Sequence, residues 1–585
     1  MSNSRSSVRY AGVLRRYLAP YRWRLFLLLA LLLVGAATTL LLPQLLARFI
    51  DAVFQAGAPS QLIGLGGLFL GLALVNQAVG VTVNYLGTDI GLRTTNRIRS
   101  ELTMHCLELD MAFHHATTPG ALIERVDGDV AKLNQFLATF AVLLLRNALL
   151  ILGAVGAVFL IDWRAGLAVA IFVGVVLGAL NGLRRLAIPS ITRERAASAE
   201  LFGLVEERLA GAEDIRANGA VAFAMRRFAE RSQPWAQHTM VSHTLGAVGF
   251  QLANVLFVGG LAVALGMGAW LLSLDAISIG GVYVIYRYVE LMRWPLMDIG
   301  RQVQDLQQAG AAIGRVEELL GLGSAVGRGG TQPLPAGALG LEVAGVSFAY
   351  SRHDEGWPAL AEVSFALAPG ATLGLLGRTG SGKSSVARLL TRQYLPQAGA
   401  IRLGGVPLDA VAPDSLRARV ALVTQDVRLF TASVRDNLTL FDPAYSDEQL
   451  HAALRDAQLW EWYEALPAGL DTPLLAEGGM SAGQAQLLAF ARVLLRDPGL
   501  VILDEASARL DPATEKRLDV AIDRLLQGRS AIIIAHRIST VQRADQIVIL
   551  EGGRVAEAGP RVALAADPAS RFTGLLRAGL EEVAR

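Results

Sequence analysis

Cysteine, lysine and charge are all scarce in this chain of 585 residues. The single cysteine, Cys106, excludes an intramolecular disulfide framework and any zinc cluster built on thiolates. Lysine occurs only as Lys132, Lys383 and Lys516. Charged residues make up 18% of the chain, against about 25% in an ordinary soluble domain, and hydrophobic residues make up 53%. That apolar content excludes disorder. A net charge of +2 gives no basis for nucleic-acid binding. The length exceeds the ~300 residues at which single cores stop growing. What remains is a membrane protein with a soluble part attached.

The apolar excess lies almost wholly before residue 300. Residues 25–47 carry no charge and are bounded by Arg24 and Arg48. As a helix they span roughly 34 Å at ~1.5 Å per residue, enough to cross a hydrocarbon core of ~30 Å. Further runs cover residues 62–88, 136–161 (interrupted by Arg146), 165–183 and 244–274. One such run reads equally well as a buried core helix, but five in one chain do not. Residues 276–300 form a less apolar stretch, with Arg287, Glu290, Arg293 and Asp298. Arg5, Arg9, Arg15, Arg16, Arg22 and Arg24 precede the first run and place that end in the cytoplasm. A cytoplasmic soluble part at the other end then requires an even number of spans, so six are expected. The first run is too long for the apolar region of a signal peptide.

Residues 89–135 and 184–243 are polar, helical in period and far longer than a connection of ~4–6 residues. They predict that the spanning helices continue into the cytoplasm as hairpins with tips near residues 111–118 and 214–219. The organisation expected is a cytoplasmic segment 1–24, a transmembrane domain 25–320, a Gly/Pro-rich linker 321–340 and a soluble domain 341–585. In that last part short apolar runs alternate with helical stretches, the pattern of an α/β domain.

A short apolar strand, residues 372–376, runs into Gly377-Arg378-Thr379-Gly380-Ser381-Gly382-Lys383-Ser384, with Ser385 opening a helical stretch. This is a P-loop in its proper strand-to-helix context. Its glycines let backbone N–H groups wrap phosphates, and the helix N-terminus adds positive potential. Lys383 is placed to reach the β- and γ-phosphates and Ser384 to ligate Mg²⁺. With so few lysines, an accidental match is expected in roughly a few chains per thousand. A second apolar strand ends in Asp504-Glu505, where beside a P-loop the first carboxylate holds Mg²⁺ and the second activates water. A third strand ends at His536, on the carboxyl edge where open α/β sheets bind ligands.

On these motifs the chain resembles the ATP-binding cassette (ABC) exporters, specifically half-transporters with six spans fused to one nucleotide-binding domain. The resemblance implies an all-α transmembrane domain of six long helices, of the type IV exporter kind. It also implies an α/β P-loop domain with a helical subdomain. Within it, Tyr350 of Phe348-Ala349-Tyr350 takes the adenine-stacking role, Gln425 matches the glutamine loop, and Met480-Ser481-Ala482-Gly483-Gln484 stands where the signature should be. Asp511 matches the loop that crosses the dimer interface, Glu505 the catalytic carboxylate and His536 the switch histidine. ATP and Mg²⁺ are the implied cofactors. The signature departs from Leu-Ser-Gly-Gly-Gln at Met480 and Ala482. Such variation resembles heterodimeric exporters with one degenerate site, so a heterodimer with a second half-transporter is favoured over a homodimer.

The expected activity is ATP-driven export of a hydrophobic or amphipathic substrate across the cell membrane by alternating access. A lipid flippase half, or a regulatory half of low turnover, is the alternative. Charged groups in a membrane helix face the bundle interior or a water-filled path. Tyr283, Tyr286, Arg287, Glu290 and Arg146 are therefore the candidates for substrate contact, with Trp294 near the first four and Asn76, Gln77, Gln251 and Asn254 as weaker ones. Helix-to-helix glue is the competing role for each of these.

Overall fold

The computed structural model describes residues 15–324, 326, 329–350, 358–425, 427–475, 480–504, 512–534 and 541–583. Among them, five helices are long and apolar enough to cross a membrane: Arg15–Phe54, Pro59–Glu108, Pro119–Ile161, Trp163–Ala210 and Val221–Ser273. They run 40 to 53 residues, roughly 60–80 Å, about twice the hydrocarbon thickness. Each apolar segment thus continues into a polar one as helix, with π-helical turns at Glu124–Gly128 and Phe136–Phe140 in the third. Short helices, Met111–Ala116 and Ala212–Ala217, turn the two long hairpins.

The stretch expected as a sixth span differs from the other five. It is two helices, Ile279–Leu291 and Arg293–Leu320, meeting at Met292, and neither passes the same length-and-apolarity measure. The first is only 13 residues long, and the second, which carries Arg293 and Asp298, is polar over most of its 28 residues. The first of these helices is nevertheless deeply packed. Val284, Ile285, Tyr288 and Val289 join a buried cluster with Ala154, Val158, Val169, Phe257 and Leu271 from three long helices.

Its attachment to the first helix is polar as well as apolar. Asp51 accepts hydrogen bonds from Ser278 Oγ at 2.7 Å and from the Gly280 amide at 2.8 Å. Gly280 has to be glycine, because a Cβ there would lie 2.4 Å from the Ala47 carbonyl. Pro43 removes one N–H from the first helix. About one turn away the buried Tyr288 hydroxyl donates to the Leu40 carbonyl at 2.7 Å and accepts from Gln44 Nε2 at 3.0 Å.

The chain forms two compact units, and the division is not linear in sequence. The second unit joins Leu107–Pro119 to Gly323–Arg585. The first hairpin tip therefore packs with the soluble part. Met111 rests on the cluster that includes Val363 and Leu375, and the Asp110 carboxylate accepts from Ser324 Oγ and, at 3.2 Å, from the Val326 amide.

Among the described residues, three sheets build that unit. Strands β1 (Leu341–Phe348), β2 (Leu360–Leu367), β4 (Ala398–Leu403) and β5 (Val406–Pro407) form an antiparallel sheet ordered β2-β1-β4-β5. Strands β3 (Thr372–Leu376), β6 (Val420–Val423), β9 (Leu500–Asp504), β10 (Ser530–Ile534), β11 (Gln546–Glu551) and β12 (Arg554–Pro560) form the central sheet, ordered β12-β11-β3-β10-β9-β6. All its pairings are parallel except β11 with β12. Strand β3 is buried at every residue, as a parallel strand covered on both faces must be. A short pair, β7 (Ala432–Ser433) with β8 (Pro473–Leu474), borders the helical part.

Replacing Tyr288 by Phe leaves Gln44 Nε2 without its acceptor and Leu40 without its outside donor. The cost is about 1–2 kcal/mol, so thermal unfolding of the purified protein should fall by about 2–4 °C.

Candidate nucleotide site and membrane cavity

Parallel pairing brings the chemistry to one edge. In the register of the central sheet Ile534 stands opposite both Leu375 and Asp504, and Val423 opposite Leu503. The carboxyl ends of β3, β10, β9 and β6 therefore end at one level. The P-loop leaves β3 there, Asp504 closes β9 and Gln425 follows β6. Glu505, Asp511 and His536 lie outside the described residues.

The loop itself has the conformation that its glycines allow. Gly377, Gly380 and Gly382 have φ of +146°, +82° and +103°. A Cβ on Gly377 would lie 2.3 Å from the Leu550 carbonyl, and one on Gly382 2.5 Å from that of Ala359. The helix Lys383–Leu390 starts directly from Gly382. Lys383 Nζ donates to the carbonyls of Gly377 at 2.7 Å and Arg378 at 3.1 Å, folding the ammonium back over the loop. Ser381 Oγ is buried and has no hydrogen-bond partner among the described residues. A cradle that admits no side chain, a cation above it and an orphaned donor inside it fit a polyphosphate.

Tyr350 sits against the same helix. Its hydroxyl pairs with Ser385 Oγ at 2.9 Å and accepts from Arg388 Nη1 at 3.0 Å. Its ring meets Phe348 and Tyr394 edge-on, with centroids 4.9 and 5.2 Å apart. Burial raises the Tyr394 hydroxyl above the usual phenol range, so that ring stays neutral. Tyr394 was not legible in the sequence, where it stands as a lone aromatic in a turn.

The signature segment opens the helix Ala482–Arg496. Ser481 Oγ accepts from the Gln484 amide at 3.2 Å and Gln484 Oε1 from the Ser481 amide at 3.0 Å, a reciprocal cap. Ser481 and Ala482 are exposed, while Gly483 is buried beneath them. The helix N-terminus thus presents a serine and a methyl group to whatever docks there. Ten residues along, Arg492 donates to the Asn437 carbonyl at 2.6 Å and the Arg428 carbonyl at 3.2 Å. Asn437 in turn holds both the amide and the carbonyl of Phe430 at 2.9 Å. The segment after Gln425 is therefore tied to the signature helix.

In the helical unit, a cavity of about 400 Å³ is lined by Thr39, Asn76, Gln77, Asn84, Arg146, Asn147, Trp294 and Asp298 among apolar neighbours. Arg146 has no hydrogen-bond or ion-pair partner among the described residues. Asn147 is 2% exposed and its Nδ2 is unsatisfied. Arg287 instead bonds Glu290, and neither these two nor Tyr283 and Tyr286 line the cavity. Asn84 and Asn147 are lining residues that sequence reasoning missed; each is one amide in an apolar run.

A polyphosphate cradle on a parallel sheet, joined to a bundle of membrane-length helices, defines an ATP-driven membrane transporter. Comparison with known proteins agrees. The family model of the ABC transporter transmembrane region matches residues 25–296, and that described as ABC transporter matches residues 360–508. An ATP-dependent lipid A-core flippase of Burkholderia pseudomallei is 31% identical over 564 residues, covering 94% of this chain and 93% of its own. An uncharacterized ABC transporter ATP-binding protein of Bacillus subtilis is 31% identical over 570 residues, 94% and 91% of the two chains. A bacterial Atm1-family ABC exporter solved with ATP bound superposes with a TM-score of 0.80 over 96% of this chain and 98% of its own, at 22% identity, and shares the fold.

The chain belongs to the ABC transporter family, as an exporter half-transporter. It is a multi-pass membrane protein whose cytoplasmic domain couples ATP hydrolysis to transport, and exporters of this kind act as dimers.

Tyr350→Ala should raise the KM for ATP about fivefold, the value of roughly 1 kcal/mol of ring contact, with kcat within twofold. Tyr350→Phe keeps the ring and should change KM less; steady-state phosphate release distinguishes them.

Proposed function

We propose that this chain, as one half of a dimer, flips an amphipathic lipid-like molecule whose polar head carries negative charge or hydrogen-bond acceptors. The cavity around Arg146 carries this reading. An unpaired guanidinium and an unsatisfied amide are expensive among membrane helices, and a ligand head that accepts from both offsets that cost. The apolar residues Leu31, Leu32 and Val83 on the same walls suit acyl chains. Relatives named as lipid A-core flippases support the same substrate class. The pair Arg287–Glu290 satisfies itself and is assigned to helix packing.

For the ATPase, the P-loop residues Gly377, Arg378, Thr379, Gly380, Ser381, Gly382, Lys383, Ser384 and Ser385 hold the phosphates, and Tyr350 stacks on the adenine. Ser384, Asp504 and Gln425 supply hard oxygen donors of the sort Mg²⁺ takes, and the ion, when bound, neutralises developing phosphate charge. Glu505 draws the proton from the attacking water, and His536 contacts the γ-phosphate. Ser481, Ala482, Gly483 and Gln484 face the nucleotide of the other subunit, with Asp511 at the interface. Closure shifts the dimer's equilibrium because ATP binds the closed state more tightly.

The Ala482 methyl stands at the exposed helix N-terminus where a glycine would leave the backbone open, and this favours a heterodimer in which the chain lends its weaker signature to one site. Ala482→Gly should raise ATP turnover of the purified dimer; a marked fall would mean the methyl is fitted to its partner. Co-purification from the native membrane reveals any second half-transporter.

The substrate reading is tested in nanodiscs with lipid A added. Arg146→Ala should abolish most of the lipid-stimulated increment while basal hydrolysis stays within twofold. Stimulation that survives the substitution removes Arg146 from the substrate path.

A further inference from the structure

Asp129 is the one fully buried carboxylate among the described residues, with its side chain 2% exposed. It opens the seven-residue helix Asp129–Gln135, which has a π-helical turn on each side, Glu124–Gly128 before it and Phe136–Phe140 after. Such turns interrupt the α-helical ladder and recur at functional places. Seven residues between two interruptions are too few to hold a helix by themselves, so the segment needs an external anchor.

Arg315, on the helix Arg293–Leu320, supplies it. Its Nε and Nη2 donate to the two oxygens of Asp129 at 2.7 and 2.6 Å. Lys132 Nζ lies 3.3 Å from the same carboxylate and 2.8 Å from Glu124. Exposed ion pairs contribute little, but this carboxylate has given up its water. Removing Arg315 would leave the buried carboxylate with Lys132 alone, at 3.3 Å, a marked penalty, and the bidentate fork fixes distance and angle together. The contact therefore enforces a geometry.

The two helices it joins carry facing parts of the cavity. Arg146 and Asn147 stand on one, Trp294 and Asp298 on the other. Along each helix the anchor lies 17 residues from the cavity (129 to 146, 298 to 315), roughly 25 Å. A brace at one level and two walls at another make a frame, joined on one side through the π-helical turn Phe136–Phe140.

We infer that Asp129 and Arg315 are positioning residues whose bidentate pair locks the helix Pro119–Ile161 to the helix Arg293–Leu320, so that these two walls of the cavity move as one body through the transport cycle. The meaning of that motion for substrate rests on the reading of the cavity above; the lock itself does not.

The lone native cysteine makes the test direct. In a Cys106→Ser background, Asp129→Cys with Arg315→Cys is reconstituted as the dimer in nanodiscs of phosphatidylethanolamine and phosphatidylglycerol. A short bis-methanethiosulfonate reagent then joins the thiols. The reduced protein should turn over ATP at least fivefold more slowly than its parent, and crosslinking should restore turnover to within twofold. A reduced form as fast as the parent, a crosslink that restores nothing, or one that arrests turnover because the helices must part, each overturns the proposal.

Should the double variant not assemble, Arg315→Lys serves, since it keeps the charge and loses the fork. Single Arg146→Cys and Asp298→Cys sites are labelled with a membrane-impermeant maleimide before and after trapping with ATP and vanadate. With Arg315 intact, trapping should change both labelling rates by the same factor, and with Arg315→Lys the factors should differ at least threefold. Equal factors in the variant refute the lock. If Arg146→Ala leaves lipid stimulation intact while the crosslink behaves as expected, the cavity reading falls and the lock stands.

Discussion

Hydrocarbon offers a backbone amide no partner, and that constraint shapes everything on the membrane side of this molecule. A chain that must satisfy its own N–H and C=O groups crosses as helix. A helix already paid for inside the bilayer extends into water at little further cost. Hence the helices of 40 to 53 residues, which run from the apolar segment to the hairpin turns. Helical backbone carries displacement along its length better than a loop would, with the two π-helical turns of Pro119–Ile161 as local interruptions. The same solvent makes every buried polar group conspicuous. Asp51 is met by Ser278 and Gly280, and Tyr288 by Leu40 and Gln44, whereas the buried Asn147 keeps an unsatisfied Nδ2 among the described residues, beside the exposed Arg146.

The nucleotide side obeys a different rule. Parallel strands deliver their carboxyl ends to one edge, so residues more than a hundred positions apart arrive at one level without any long-range design beyond register. Only the loop between β3 and its helix needs special backbone, and there three positive-φ glycines supply it. The reciprocal cap at Ser481 and Gln484 is the counterpart on the signature helix: it satisfies two end groups internally and leaves the remaining N-terminal amides pointing outward, available to an anion.

Much of this was legible because it is periodic or positional. Charge-free runs long enough to span, a P-loop after a strand and a carboxylate ending a strand are statements about order along the chain. The stretch from Ile279 was less legible because its burial comes from packing against four other helices, which hydropathy does not register. Arg287 and Glu290 sit three apart in the sequence and the structure pairs them with each other, yet the cavity lies elsewhere, because which face of a bundle is hollow depends on its neighbours. Asp129 carries no local signal at all. Its partner is 186 positions away, and a carboxylate among mixed charges reads as a solvated face until the fold removes its water.

Residues 321–340 read as a linker by their glycines and prolines, and several of the described residues in that segment are held by hydrogen bonds. His105 Nε2 pairs with the Leu319 carbonyl at 2.8 Å just before it, and Asp110 takes Ser324 and the Val326 amide. The Gly330 amide donates to Asp409 at 2.9 Å and the Gln332 amide to Ala410 at 3.0 Å. A Cβ on Gly330 would fall 1.9 Å from the Ala410 carbonyl, so this glycine serves close approach and not freedom. These described linker residues, from Gly323 on, belong to the nucleotide-binding unit by their contacts.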